Sequence, residues 1–549
     1  MLDISGARAE AGAALIQRLE QLNAIGASLS AERDINRLLE SILTAAKSIT
    51  GADGGTLYRV TEEKTLRFEI LRTTSLKFYL GGTSGNPVPF YPIQLYKDGK
   101  PNHGMVAAYT ALTGKTVNIP DAYTVEGFDF SGTRAFDAKS GYRSKSFLTV
   151  PMKNHENEII GVLQLLNATD PATGEILPFS PSDQRLTESL ASQAAVALTN
   201  RMLINQLEQL FESFINLINL AIDEKSPYTG GHCQRVPALT MALAEAVNES
   251  KDGQLKDFNM SDRDRYELKI AGLLHDCGKV TTPVHVVDKA TKLESLFDRI
   301  TLIDTRFEVL KRDAEIALLE EKLALAGGGS HMMAVTEAEA RYRNRIRQIE
   351  DDRKFLRGCN IGGEAMRESD VERVRSIGAC RWTDSEGHEA NFLTEDEFKN
   401  LTIRAGTLTN EERQIINYHI VATIKMLEAL PWPHHLKHVA EYAGGHHERM
   451  DGKGYPKGLK REQMSVQARV MGIADIFEAL TARDRPYKKG KTLSESLEIL
   501  GKMCLGNHVD PDLFDVFVRK KVYLKYAEQF LDPGQIDSVD ESKIPGYVP

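Results

Sequence analysis

The sequence predicts an α+β domain, with an antiparallel sheet flanked by helices, followed by an all-α domain and joined to it by a long helix. Apolar residues recur at helical spacing up to about residue 50, and short alternating runs typical of strands then occupy 54–167. Helical spacing returns at Ser182 and continues to about Glu224 without a Gly or Pro. A helix of that length is more often a connector or a dimer seam than an ordinary core helix.

The predicted sheet rests on four short runs of residues. Residues 55–60 and 66–70 alternate apolar and polar side chains, as half-buried strands do. Residues 147–152 and 159–166 form a later pair, and the polar stretch 154–157 between them predicts a hairpin turn. Beyond the long helix the pattern is helical throughout, so the second domain is predicted to be all-α.

Composition narrows the classes of partner. The 549-residue chain has 42% hydrophobic and 26% charged residues, which is typical of a globular protein with real cores. Its net charge of −9 argues against nucleic acid as the main partner. We expect no membrane insertion and a cytoplasmic location, because the sequence has neither a signal peptide nor an apolar run of membrane-spanning length. Five cysteines without CxxC spacing fit a reducing compartment.

The most informative stretch is 446–456, in which two adjacent histidines precede a Gly-rich loop that ends in Tyr-Pro. Imidazole suits first-row transition metals, and glycines let the backbone come close to a ligand. A second apolar run ends in His275-Asp276, an imidazole and a carboxylate that can face a metal pair together. Lys279 follows His275 by four residues and is expected to project from the same face if the helix continues.

Three further polar residues lie in helical or turn segments elsewhere in the second domain. His419 and Asp475 interrupt otherwise apolar helical stretches, where an unpaired polar group is costly, and His232 follows a Gly-Gly pair. A lone histidine on an apolar face is more often a core residue than a ligand. Because five separate segments offer such groups, the pattern favours one shared metal centre.

These motifs resemble a known family. Residues 275–279 match the HDxGK signature of the HD hydrolase superfamily, and 446–456 resemble the HHExxDGxGYP signature of its HD-GYP subfamily. Segments around 223–229, 406–412 and 475–488 are similar to that subfamily as well. The resemblance covers about 210–295 and 405–525, and it implies a metal-dependent phosphodiesterase that hydrolyses cyclic di-GMP.

The resemblance also implies roles for individual residues. Asp276 and Lys279 match the catalytic positions, Asp276 bridging two ions and Lys279 contacting the scissile phosphate. The implied metal ligands are His232, His275, Asp276, His419, His446, His447 and Asp475. The implied substrate contacts are Lys279, Arg449, Asp451, Gly454, Tyr455, Pro456, Arg485 and Lys488. Arg485 stands one residue later than in the common spacing, which makes its correspondence looser than the others.

The same resemblance sets an expectation for the metal. Family members with a Glu four residues before the first ligand histidine tend to hold three ions, and this chain has Tyr228 at that position. We therefore expect two divalent ions rather than three. Histidine and carboxylate ligands without thiolate fit both iron and manganese, so the sequence leaves the identity of the metal open.

The N-terminal half, over about 20–200, resembles a GAF domain. The long helix would leave this domain and transmit its signal to the second one. Residues 118–123 and 141–151 are similar to phosphodiesterase-type GAF domains, although Ala168 and Gln184 depart from their signature. The resemblance implies a cyclic-nucleotide pocket formed by Asp121, Tyr142, Asn167, Phe179 and Asp183. The alternative is a GAF fold used only for dimerisation or signal relay.

The domain boundaries follow from these assignments. We assign 1–19 to the start of the N-terminal helix, 20–200 to the GAF domain, 185–224 to the connecting helix, 210–530 to the HD-GYP domain and 531–549 to a loose tail. Residues 295–405 form an insertion predicted to be a helical hairpin that turns at Gly327–Ser330. It could cover the active site or contact another subunit, and the sequence leaves both open.

The expected function is hydrolysis of cyclic di-GMP to linear pGpG, under control of the GAF domain, in a homodimer formed through the connecting helices. Whether pGpG or GMP is the end product stays open. Three alternatives stay open. The first is hydrolysis of 3'3'-cGAMP, the second a receptor that binds a cyclic dinucleotide without turnover, and the third a general HD nucleotidohydrolase. The last would not need the loop from Gly452 to Pro456.

Overall fold

The computed structural model describes residues 20–225, 231–251, 253–326, 332–363, 365–483 and 490–548. The chain divides into two compact units, Met1–Phe211 and Glu212–Pro549. Among the described residues, no helix is long and apolar enough to cross a membrane.

The first unit is built on an antiparallel sheet in the order β3-β2-β1-β9-β8-β7, with β4 beside β2 and β10 beside β9. The strands of the first unit are β1 Ala52–Val60, β2 Thr65–Thr73, β3 Phe78–Gly81, β4 Ile93–Gln94, β5 Tyr96–Lys97, β6 Lys100–Pro101, β7 Val117–Ile119, β8 Phe147–Lys153, β9 Ile159–Thr169 and β10 Ile176–Leu177. The helices of this unit are α1 20–31, α2 Ile35–Thr50, α3 Val106–Thr113 and α4 Ser131–Ser140. The four predicted strands and the hairpin between β8 and β9 are confirmed.

Alternation along the strands separates two apolar layers. Leu57 and Leu163 pack with α1, α2 and the start of the exit helix, whereas their neighbours Tyr58 and Val162 pack with α3. Helix α2 begins where the Asp34 side chain accepts a hydrogen bond from the Arg37 N–H, and it ends at Gly51, whose φ is 66°. The sheet therefore packs against α1, α2 and the exit helix on one face, and against α3 and a cavity rich in aromatic side chains on the other.

The predicted long helix is confirmed as α5, Pro181–Lys225, a single helix of 45 residues. The boundary between the two units falls inside it, at Phe211–Glu212. Its first turns pack into the core of the GAF-like unit, whereas Leu207, Phe214 and Leu217 are about 60% exposed. An exposed apolar stripe of this kind indicates that something else covers the helix.

The second unit is mainly helical. Its helices are α6 His232–Asn248, α7 Asp262–Leu274, α8 Val284–Val287, α9 Ile300–Ala326, α10 Met332–Asn360, α11 Glu368–Gly378, α12 Glu395–Leu401, α13 Asn410–Glu428, α14 Val439–Gly444, α15 Val466–Thr481, α16 Leu493–Leu505, α17 Pro511–Arg519 and α18 Val522–Phe530. The prediction of an all-α domain is wrong at one place. Strands β11 Arg381–Thr383 and β12 Glu389–Asn391 form a small hairpin inside the insertion. Three-residue strands are too short to give a recognisable alternation in the sequence.

The insertion contains the predicted helical hairpin, α9 and α10, and the predicted turn at Gly327–Ser330 lies outside the described residues. It is more than a hairpin, because α11 and α12 fold back to give it a core of its own around Phe307 and Phe392. A bidentate ion pair between Arg306 and the buried Glu397, at 2.7 and 2.9 Å, closes this core.

One buried lysine attaches the insertion to the rest of the unit. Lys289 Nζ lies 2.9 Å from Asn400 Oδ1 on α12 and 2.8 Å from Glu412 Oε2 at the start of α13. Glu412 also completes the capping box that begins α13. The insertion is thus joined to the helix that carries His419.

The prediction of a loose tail is wrong for 532–548. Gln535 donates from Nε2 to the carbonyl oxygens of Thr481 and Lys491, at 2.8 and 3.0 Å, and Ile544 and Tyr547 are buried. The sequence did not predict this packing, because the segment is mostly polar and only two of its apolar side chains, Ile544 and Tyr547, are buried. The predicted helix start at Asp510-Pro511 is confirmed, since Asp510 accepts hydrogen bonds from the N–H groups at the beginning of α17.

Candidate metal centre

The structure brings together the seven side chains that the sequence singled out as metal ligands. His232 is the first residue of α6, and His275 directly follows α7. His446 and His447 lie in the turn after α14, separated from the helix by Gly445. His419 and Asp475 project from the interiors of α13 and α15. Two groups of ligand atoms result, each within 4.8 Å: His232, His275 and Asp276 in one, and His419, His446 and His447 in the other.

Asp276 lies between the two groups. Its Oδ2 is 3.0 Å from His232 Nε2 and 3.3 Å from His275 Nε2, while its Oδ1 is 3.2 Å from His419 Nε2. Asp475 Oδ1 lies 3.4 Å from His232 Nε2. One carboxylate therefore presents one oxygen to each group, which is the arrangement that a bridging ligand requires.

Three of the histidines are oriented by the same local device. The Nδ1 atoms of His275, His419 and His446 lie 2.6 to 2.7 Å from the carbonyl oxygens three residues earlier, at Gly272, Ile416 and Ala443. A carbonyl oxygen can only accept, so each Nδ1 carries a proton, and in the neutral ring Nε2 is then the nitrogen with the free lone pair. The helices thereby direct three nitrogen donors toward the centre.

The residues present fit a pair of divalent first-row ions. His446 Nε2 is buried and makes no hydrogen bond within the described part of the chain, as expected of a donor reserved for a metal. Burial lowers the pKa of His447 to about 4 and, with the neighbouring His447, holds the pKa of His446 well below its usual value. Both rings are therefore neutral near pH 7, which is the form that binds metals.

The electrostatics around Asp276 keep it ionised. Burial alone would raise the pKa of its carboxyl, but the Lys279 ammonium and His275 hold the pKa well below its usual range. Burial alone would likewise lower the pKa of Lys279, and the Asp276 carboxylate raises it. The pair therefore stays charged around neutral pH.

Gly278 allows α13 to approach the Asp276 turn. A Cβ at Gly278 would lie 2.0 Å from the carbonyl oxygen of His419 and 2.5 Å from the backbone nitrogen of Thr423. The Gly278 N–H donates to Thr423 Oγ1 at 2.9 Å. Only glycine permits this approach, which places His419 beside Asp276.

The predicted placement of Lys279 on a continuing helix is wrong. Helix α7 ends at Leu274, and Cys277–Thr281 form a 3-10 turn instead. A 3-10 turn has three residues per turn, so Lys279 lies on the same side as Asp276 rather than His275. Its Nζ lies 2.6 Å from Asp276 Oδ2. The Gly278 contact with α13 is the tertiary interaction that accompanies this tighter turn.

The loop that follows the paired histidines packs directly against them. A Cβ at Gly454 would lie 2.4 Å from the backbone nitrogen of Arg449, so this position requires glycine. The Tyr455 ring stacks on the His447 ring with centroids 4.8 Å apart. Glu448 is buried and accepts hydrogen bonds from the N–H groups of Lys457 and Leu459, which fixes the end of the loop.

A cavity of about 590 Å³ opens beside His446 and His447. Of the predicted substrate contacts, Arg449, Gly454 and Tyr455 line it, whereas Lys279, Asp451 and Pro456 do not. Asp451 instead pairs with Arg449, at 2.9 Å. Arg485, Lys488 and Tyr228 lie outside the described residues. None of the described residues of the 295–405 insertion lines the cavity.

Several residues of the site were not singled out by the sequence. Lys453, Lys491 and His508 line the same cavity, and Glu478 contacts His232 from behind. Glu478 could have been noticed, because it follows Asp475 by three residues and so shares its helix face. Lys491 and His508 carry no such signal, since they reach the cavity only through the folding of distant segments.

The predicted GAF ligand residues are corrected by the structure. A cavity of about 390 Å³ lies among the strands, α3 and α4, and none of the five predicted residues lines it. They make structural contacts instead. Phe179 packs in the core, and the Asn167 side chain forms hydrogen bonds with the backbone of residues 143–146. The Tyr142 hydroxyl donates to Asp53, and the carboxylates of Asp121 and Asp183 accept hydrogen bonds from nearby backbone N–H groups. The signature therefore holds loops in place rather than forming the cavity wall.

Family models match three segments of the chain. A GAF domain matches 34–198, and two HD domain models match 229–327 and 396–513. The stretch between the two HD matches belongs to the insertion.

Named relatives match shorter segments. A 3'3'-cGAMP-specific phosphodiesterase of Vibrio cholerae is 43% identical over 81 residues, 15% of this chain and 19% of the relative. Cyclic di-GMP phosphodiesterases of Thermotoga maritima and Pseudomonas aeruginosa are 34% and 45% identical over 119 and 74 residues, 22% and 14% of this chain. These matches span 32% and 17% of those two relatives, so each of the three is matched over less than a third of its length.

Proposed function

Because the chain combines a GAF domain with an HD domain, we propose that it is a metal-dependent phosphodiesterase that hydrolyses cyclic di-GMP to linear pGpG. The observation that carries the proposal is the pair of ligand groups with the Asp276 carboxylate between them, one oxygen facing a histidine of each group. Two adjoining sites with one bridging carboxylate suit in-line displacement at a phosphodiester.

The chain's own groups have distinct tasks in this reaction. When bound, two divalent ions, iron or manganese, acidify water and stabilise the charge on the phosphate oxygens. The Nε2 atoms of the ligand histidines and the carboxylates of Asp276 and Asp475 would hold these ions. Lys279, which stays protonated beside Asp276, offers a positive charge to the phosphate that is cleaved.

The cavity beside the centre supports a dinucleotide substrate with two phosphates. It contains three cationic side chains, Arg449, Lys453 and Lys491, and the Tyr455 ring as a surface for stacking a base. Its volume is within the range of small-molecule sites. Relatives named for cyclic di-GMP and for 3'3'-cGAMP both match this chain, so 3'3'-cGAMP is the second candidate substrate.

The test is turnover by the purified full chain, reconstituted without oxygen with iron or with manganese. We expect cyclic di-GMP to be converted to pGpG, with 3'3'-cGAMP assayed in parallel. Faster turnover of 3'3'-cGAMP would reassign the substrate. Tight binding of cyclic di-GMP without turnover under either metal would make the protein a receptor and would contradict the proposed activity.

We further propose that the GAF cavity binds the regulatory ligand and that this ligand is a planar aromatic molecule without a phosphate. Seven aromatic rings line the cavity: Tyr58, Phe68, Phe78, Phe90, Phe130, Phe136 and Phe147. No Lys, Arg or His is among the lining residues of this described region, and the Asp129 carboxylate already accepts a hydrogen bond from the N–H group at the start of α4. A cyclic nucleotide would therefore bury its phosphate without a counter-charge.

Thermal unfolding of the full chain tests this ligand class. We expect saturating adenine or indole to raise the melting temperature by about 2 °C or more, because binding to the native state alone stabilises it. Thr133→Trp, which fills the half-buried rim of the cavity, should remove the shift. An equal shift with cyclic GMP that Thr133→Trp also removes would favour the nucleotide instead.

We also propose that α5 forms the seam of a homodimer. Exposed apolar residues follow one another at intervals of four and three residues, the heptad pattern of a coiled coil: Leu203, Leu207, Leu210, Phe214 and Leu217. Asn200 takes the preceding heptad position, and a polar residue there fixes the register between two helices. The proposed occupant of this stripe is therefore the same helix of a second copy.

Light scattering after size exclusion tests the seam. We expect the wild-type chain to have twice the 61.0 kDa mass of one chain, and Leu207→Glu with Leu210→Glu to reduce it to a single copy, because each charge would be buried without a partner. Glu208→Lys, a charge change on a different face, should leave the dimer intact. A wild-type monomer, or a dimer that survives the double substitution, would contradict this seam.

A further inference from the structure

His232 differs from three of the other ligand histidines in what orients it. His275, His419 and His446 each bind a carbonyl oxygen three residues earlier. His232 is the first residue of α6, so no preceding helical turn can supply such a carbonyl. Its Nδ1 lies instead 2.6 Å from Glu478 Oε2, on a different helix.

Glu478 is held rigidly for this contact. Glu478 is completely buried in α15. It lies three residues after Asp475 and is therefore on the same face of the helix. Its second oxygen, Oε1, accepts a hydrogen bond from Arg235 Nε at 2.8 Å. Arg235 lies three residues after His232, so α6 provides both partners of this carboxylate.

From this geometry we infer that Glu478 is a positioning residue that sets the tautomer, orientation and donor strength of His232. A carboxylate only accepts, so Nδ1 must carry the proton and Nε2 faces Asp276 Oδ2 at 3.0 Å. A carboxylate behind a histidine also makes its ring a stronger donor than a carbonyl does. The group formed by His232, His275 and Asp276 therefore has a charge-supported ligand, whereas in the other group His419 and His446 are each oriented by a neutral carbonyl.

The inference rests on the proposed metal-dependent function, and its test measures metal affinity rather than activity. Equilibrium dialysis of the full chain against Mn²⁺, with metal content counted by mass spectrometry, gives the affinity of each ion. We expect Glu478→Gln to weaken one of the two ions by about 10- to 100-fold and to leave the other unchanged. Glu498→Gln, an exposed residue paired with Lys502 on α16, is the control.

Glu478→Gln leaves Arg235 with less compensation for its charge, which by itself could destabilise the fold. The double variant Arg235→Gln, Glu478→Gln removes both charges together, and its melting temperature without metal reports whether it is folded. We expect this variant to keep the metal defect. Two ions bound with wild-type affinity in both variants would overturn the role of Glu478 and leave the proposed function standing. No metal bound by the wild-type chain would overturn both.

Discussion

Replacing Asp276 by Asn is expected to lower turnover of cyclic di-GMP by at least about a thousandfold and to weaken both ions together. Asp276 presents Oδ2 to His232 in its own group and Oδ1 to His419 in the other, so its carboxylate lies against both groups. Asparagine keeps the shape of the side chain but replaces one oxygen with an NH₂ group, which donates hydrogen bonds and cannot bind a cation. It also removes the negative charge that faces Lys279.

The measurement combines turnover with metal content after dialysis. Asp515→Asn is the matched control, because Asp515 forms only an exposed pair with Arg519 four residues on, and such pairs contribute little. A variant that retains both ions and has turnover within about tenfold of the wild type would contradict the bridging role that we assign to Asp276.

Replacing Lys279 by Gln is expected to lower kcat by about 100- to 1000-fold while both ions remain bound. Lys279 is not a ligand: its Nζ lies 2.6 Å from Asp276 Oδ2, and its side chain is 27% exposed, so part of it is open to an incoming phosphate. Glutamine retains a hydrogen-bond donor but loses the positive charge. The variant should therefore still bind both ions although its kcat is lower. This combination distinguishes Lys279 from Asp276.

Metal content decides how Lys279 acts. If Lys279→Gln loses the ions as well as the rate, the lysine positions Asp276 rather than contacting the phosphate. Lys502→Gln is the matched control, because it removes only an exposed pair with Glu498 on α16. Unchanged kcat in Lys279→Gln would exclude either role.

The parts of the molecule that the sequence determined are those with a local signal. Helix α5 is visible from its spacing and from the absence of Gly and Pro, and strands β8 and β9 from their alternation around a polar turn. Among the seven candidate ligands, His419 and Asp475 stand out because polar residues in apolar helical segments are costly unless something compensates them, and the resemblance to the HD-GYP motifs completed the set. The long motif at 446–456 adds the loop that packs on His447.

Tertiary structure alone decided the geometry between these segments. The 3-10 turn after His275 is accompanied by contact of Gly278 with α13, and Lys491 and His508 reach the cavity from distant parts of the chain. The GAF signature residues make core and loop contacts, whereas the cavity is lined by aromatic residues from four strands, from α4 and from positions 90 and 130 outside regular elements. Local sequence records the preferences of one segment, but a cavity and a shared carboxylate depend on which segments pack together. That packing is set by burial and close approach summed over the whole chain.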